Sequence, residues 1–307
     1  MLVKPMVNLL LCIRDCQVAE MVLQIFKKRF FRPETIGVIF ISVVFMCISV
    51  VISTSEDISA YVAYINGNSS FLDGYPLLYS AETVERIISS QSELYLSQWF
   101  SFYAVMYHGF HIYLLAAHLF ITLPFLRFYD ERKNGYTRLL AVRGGSSWYI
   151  QEAAADSLTA GCYVLLPLLI FWGLASLLCP MLYPLNQDFL SAYDEFFVYG
   201  KNENDIILVY LILILLTFVQ FFLRGFFLFI VAVAVEKKVV LLFSSLVYTY
   251  GFEVLCILIQ KYDYGTHSYM MENLKSLSPF LVNCFVNLLV TAILFAVFFR
   301  KDTILND

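Results

Sequence analysis

The sequence is poor in charge. Only 14% of its 307 residues are Asp, Glu, Lys or Arg, against about 25% in an average soluble domain. So few charges cannot coat a soluble particle of 35.4 kDa, which excludes a soluble globular enzyme. The same scarcity excludes a disordered chain, a nucleic-acid-binding protein and a disulfide-stapled secreted domain. Metal signatures are missing as well. Among seven cysteines and four histidines there is no CxxC pair and no Cys/His ligand spacing. Cys12 and Cys16 stand one helical turn apart, but the other two ligands of a closed tetrahedral site are absent. Neither GxSxG nor HExxH occurs, nor a pair of intramembrane aspartates, so the common hydrolase signatures are lacking. There is no GxxxxGK[ST] either, and the chain has only 13 glycines. The start of the chain does not read as a cleavable signal: the apolar run 6–13 is short, charges follow it, and no small-x-small site appears.

What remains is apolar. Sixty per cent of the residues are hydrophobic and the mean hydropathy is +0.75. The 29 Phe and 21 Tyr suit lipid contact and interface anchoring. A helix needs about 20 apolar residues to cross a bilayer, and six stretches between charged residues are long enough. They predict spans at about 36–53, 102–125, 158–179, 206–234, 239–260 and 279–299. The expected fold is an all-α polytopic membrane protein, one transmembrane domain over residues 1–307.

Lys and Arg orient the spans. With both ends inside, the segments 1–35, 126–157, 235–238 and 300–307 are cytoplasmic and hold 15 of the 20 basic residues. The external loops hold four, Arg86, Lys201, Lys261 and Lys275, and Arg224 lies within a span. The asymmetry predicts a multi-pass protein of the cell membrane with cytoplasmic termini. Ahead of the first span, residues 18–31 place Val22, Ile25, Phe26 and Arg29 near one helical face, with Lys27 and Lys28 elsewhere. The pattern suits an amphipathic helix in the cytoplasmic interface, ending before Pro33; the plainer reading is a cytosolic extension.

The loop between the second and third spans, 127–161, gathers charge at Asp130, Glu131, Arg132 and Lys133. A short apolar helix, 136–142, follows and stops at Arg143-Gly144-Gly145. Such a segment can dock into a partner's groove; otherwise it is a solvated loop obeying the positive-inside rule.

Here the chain resembles the permease subunit of ABC-2 transporters, which have the type V exporter fold. The resemblance rests on Glu131-Arg132-Lys133-Asn134-Gly135 after the second span, then Leu139-Leu140, Arg143 and Tyr149-Ile150. It extends to the helix before the first span, the six spans, the cytoplasmic termini and Leu277-Ser278-Pro279-Phe280 before the last span. The first external loop, 54–101, is longer than the minimal family pattern. The resemblance implies a permease without enzymatic activity, exporting a hydrophobic or amphipathic cargo. It implies a second permease chain, identical or related, and a separate ATPase that carries the ATP and Mg, with no cofactor on this chain. Glu131, Arg132, Lys133, Gly135 and Arg143 would couple to the ATPase, and Lys27, Lys28 and Arg29 would touch it or lipid headgroups.

Charges inside a span need a reason. Counted from the cytoplasmic side, Arg224 is about 18 Å deep and Glu253 about 22 Å deep. Their similar depth predicts an ion pair between the fourth and fifth spans, serving either a pathway or internal structure. His108, His111 and His118 share a face of the second span and suit helix–helix hydrogen bonds better than a metal. Gly109 and Gly225 suit close helix contact. Two other functions stay open: an intramembrane enzyme, and a membrane sensor or assembly factor without transport.

Overall fold

The computed structural model describes residues 19–65, 102–135, 147–179, 203–259 and 278–299, and these are helical apart from short turns. In chain order the helices are α1 (19–30), α2 (Pro33–Ile65), α3 (Phe102–Phe120), α4 (Leu123–Lys133), α5 (Ser147–Leu178), α6 (Glu203–Ala234), α7 (Lys238–Leu258) and α8 (Ser278–Phe299). Five stretches are long and apolar enough to cross a membrane: Pro33–Ser55, Trp148–Leu178, Tyr210–Ala234, Lys238–Leu258 and Phe280–Val297. They make the chain a helical membrane protein.

The second expected span needs correction. Residues 102–125 do not form one uninterrupted helix; the chain turns at Ile121 and Thr122 and continues as α4 to Lys133. Pro124 has no N–H to give to the preceding turn and stands in the first turn of α4, where no intrahelical donor is needed and proline suits a helix start. Thr122 absorbs the break, its hydroxyl donating to the Leu119 carbonyl at 2.6 Å and its own carbonyl accepting from Phe125 and Leu126. With three His and three Tyr in its 19 residues, α3 is not among the five stretches. One further boundary moves: α5 begins at Ser147, well before the expected 158. The apolar stretch of α2 ends at Ser55, close to the expected 53, and the helix itself continues to Ile65.

Helices α5 and α6 share the most extensive interface. Helices α2 and α3 pack beside α5, α8 lies along α6, and α7 contacts α6, α3 and α4. Small residues let the central pair approach. A Cβ on Gly225 would sit 2.6 Å from the Ser157 Cα of α5, and one on Gly161 would sit 2.8 Å from the Phe218 ring of α6. Such contacts carry helix association where lipid supplies no hydrophobic drive.

The bundle is apolar outside and partly polar inside. Along α2, Ile36, Phe40, Val44, Ile48 and Val51 are exposed, while Thr35, Val38, Ser42, Met46 and Ser49 are buried. The inner hydroxyls bind across helices: Ser49 donates to the His108 carbonyl of α3 at 2.6 Å, and Thr35 meets the Tyr163 hydroxyl of α5 at 3.2 Å. Pro167 inside α5 frees the carbonyl of Tyr163, four residues earlier. The buried Tyr113 hydroxyl of α3 donates to that carbonyl at 3.2 Å, so the proline break is answered by a neighbouring helix.

Helix α4 ends on glycine for a conformational reason. The Gly135 N–H donates to the Arg132 carbonyl at 3.0 Å, and its φ is 73°. This left-handed stop is cheap only without a Cβ. Gly135→Val should destabilise the fold by about 1–2 kcal/mol, while Gly135→Asn should cost less. Thermal melts of the two variants check the order; equal melting would remove the requirement.

Candidate functional site

The charges expected to face a partner converge first on one another. Arg29, at the end of α1, is only 8% exposed. Its Nη1 donates to Asp156 Oδ1 at 2.5 Å, and its Nη2 donates to Glu131 Oε2 at 3.2 Å and also to Glu152 Oε1. Glu152 and Asp156 stand one turn apart on the same face of α5, where side chains at i and i+4 are neighbours. Glu131 comes from the end of α4 and also accepts from Arg127 Nε at 2.9 Å. One guanidinium thus joins α1, α4 and α5. Burial disfavours its charge, yet Asp156, Glu152 and Glu131 together hold it above the ordinary arginine range. The cluster has three carboxylates and, counting Arg127, two guanidiniums. Glu152 Oε2 and Asp156 Oδ2 are buried without a hydrogen-bond partner.

The expectation that Arg29 meets a partner or lipid headgroups is therefore corrected: its side chain is turned into the bundle. The reason lies in the amphipathic face. Val22, Ile25 and Phe26 are half-buried, Arg29 and Phe30 are buried, and Lys27 and Lys28 are exposed. Phe30 packs against Tyr163 of α5 and Val38 of α2, so docking that face carries Arg29 inward.

A second set of bonds fastens α4 to the turn between α6 and α7. Arg132 donates to the carbonyls of Ala232 and Val233, the first at 3.1 Å. Tyr129 donates its hydroxyl hydrogen to the Glu236 carbonyl, as Lys133 Nζ does at 3.1 Å. Lys238 pairs with Asp130 at 2.6 Å on the exposed side. The last carbonyls of α6 have no partner within their own helix, and cationic side chains suit that negative end. Glu131, Arg132 and Lys133 are thus brought together and bound within the chain, and Gly135 terminates their helix. Arg143 and the short helix 136–142 lie outside the described residues.

The expected Arg224–Glu253 pair is also corrected. Arg224 is 3% exposed; its Nη1 donates to Thr249 Oγ1 at 2.7 Å, and its guanidinium lies 3.8 Å from the centroid of the Tyr248 ring. Hairpin register explains the difference. Arg224 lies 12 residues before Glu236, and Tyr248 lies 12 after it, so Tyr248 and Thr249 come opposite Arg224. Glu253 is a further turn along α7, about 7 Å beyond.

His118 binds Ser245 of α7 through Nδ1 at 2.9 Å, a helix–helix bond of the expected kind. The side chain of His111 is outside those described. Gly225 meets the backbone of α5 and Gly109 the Phe171 ring.

Sequence reading missed Glu152 and Asp156. The signal was present in Gln151-Glu152-Ala153-Ala154-Ala155-Asp156: two acids one turn apart in an alanine-rich helix. Ascribing that segment to a loop concealed the spacing.

No protein family matches the chain, and no curated protein or solved structure is significantly similar to it.

Proposed function

We propose that the chain is the transmembrane permease subunit of an ABC exporter, moving a hydrophobic or amphipathic cargo such as a peptide, drug or lipid. ATP is hydrolysed on a separate subunit, with Mg bound there, and a second permease chain, identical or related, completes the pathway. In this reading six spans cross the cell membrane, α3 being the second. Both termini are cytoplasmic, and α1 lies along the inner membrane surface.

One observation carries the reading. The charged end of α4 is bonded at once to α1 and α5, through Arg29, and to the turn between α6 and α7, through Arg132 and Lys133. A force applied there is passed to four helices rather than absorbed in a loop. Two discrete arrangements of such a unit can be biased by an ATPase that binds them unequally. Exposed Lys27 and Lys28 and Arg143 supply the contact, while Glu131, Arg132 and Lys133 transmit it.

The test is to look for a Walker-A ATPase among the neighbouring genes and to co-express it with the chain. The two should co-purify, and ATP hydrolysis should rise in the complex. Charge reversal at Lys27 and Lys28 should weaken co-purification several-fold without changing the melting of the permease. A chain that is stable and active alone, with no ATPase retained, would sink the proposal.

A further inference from the structure

Arg224 is a buried cation in the middle of a membrane-length helix. Its partners among the described residues are the Thr249 hydroxyl and the Tyr248 ring, and neither brings a negative charge. A buried charge is retained when something compensates it. Thr249 occupies Nη1, and Tyr248 lies under the guanidinium and is itself backed by Phe227, with ring centroids 4.9 Å apart. The guanidinium is thus fixed in plane and at one corner. Its Nε is buried and has no hydrogen-bond partner. The Nε edge is one that grips a carboxylate or phosphate with two parallel bonds.

One turn earlier on the same face of α6 stands Gln220, 4% exposed, with neither amide atom partnered. A buried primary amide without partners is rare in a folded interior. It adds a neutral donor beside the guanidinium.

We propose that Arg224 and Gln220 form a binding site for an anionic oxygen group, the phosphate or carboxylate head of an amphiphile. Arg224 Nε and Gln220 Nε2 donate to its oxygens, and Thr249 and Tyr248 hold the guanidinium in place. An amphiphile fits better than a free ion because the flanking helices expose apolar side chains such as Leu215, Val219, Val247 and Val254. A chain already dissolved in lipid can bring its head to the site, whereas a hydrated ion must first shed its water. The site goes beyond the exporter reading and stands whether or not an ATPase binds.

The experiment uses the purified full-length chain in nanodiscs, titrated with dodecyl phosphate, dodecanol or inorganic phosphate while thermal unfolding is followed. Dodecyl phosphate should raise the melting temperature saturably, and dodecanol should not. Gln220→Leu, an apolar change in an apolar setting, should shift the midpoint to about tenfold higher ligand, the loss of one bond to a charged group. Arg224→Gln should abolish the rise. Should that variant fail to fold, Arg224→Lys keeps the cation and loses the two-pronged grip, with a similar tenfold weakening. An equal rise with dodecanol, or unchanged midpoints in Gln220→Leu and Arg224→Lys, overturns the site. An equal rise with inorganic phosphate overturns the amphiphile as its ligand. Failure of the ATPase to co-purify leaves all these outcomes untouched.

Discussion

Arg29→Met should cost the protein about 3–5 kcal/mol, the range for removing one partner from a buried ion pair. The loss is large because of what remains. Asp156 is fully buried, Glu152 nearly so, and both would face one another across a turn of α5 without their guanidinium. Glu131 would keep Arg127. The triple variant Arg29→Met, Glu152→Met, Asp156→Leu should recover most of the stability, since replacing a whole buried charge set by well-packed apolar groups of similar volume is often neutral or stabilising. Thermal unfolding of the purified chain reads both. A loss below about 1 kcal/mol in the single variant would mean that Arg29 is solvated and does not join α1 to α4 and α5. In the exporter reading, a triple variant that folds but no longer couples to the ATPase would separate the charges' mechanical role from their structural one.

The second large effect is expected at Gly225. Gly225→Ala places a methyl group 2.6 Å from the Ser157 Cα, closer than carbon atoms approach without a bond. The obstruction is backbone, so no rotamer change relieves it and the central helices α5 and α6 must separate. Overpacking of this kind costs about 1–3 kcal/mol, and Gly225→Leu should exceed that and abolish folding. Gly161→Ala is the informative comparison. There the nearest atom belongs to the Phe218 ring, at 2.8 Å, and a ring can swing aside. Gly161→Ala should therefore melt above Gly225→Ala, and Phe218→Leu should rescue it. Ser157→Gly should not rescue Gly225→Ala, because the Cα stays. Equal melting of the two alanine variants would show that the helices adjust as rigid bodies and that the identity of the obstructing atom does not matter.

Much of the fold is legible along the chain because its causes are local. An uncharged stretch of membrane length requires a helix, since lipid offers the backbone no other hydrogen-bond partners. Pro33 marks the start of α2, Val22, Ile25 and Phe26 share the inner face of α1, and the segment containing Gly225 packs closely. The errors are also physical. Hydropathy runs unbroken past Pro124, where a new helix starts, and it ends at Glu152 and Asp156, which lie within α5. Both follow from treating charge and hydrophobicity as the boundary of a helix, when the hydrogen-bond ladder ignores them.

Composition and spacing along the chain identify lipid as its solvent, the stretches that meet it and the residues too costly to bury without reason. The partners of those residues come from the packing of the helices. Arg29 turns to Asp156, Glu152 and Glu131, and Arg224 turns to Thr249 and Tyr248. Partner choice depends on the rotation of each helix about its axis, about 100° per residue, and on its register against the next. Depth counted along the chain is coarser than one turn. That margin separates Thr249 from Glu253, and with it a hydroxyl from a countercharge.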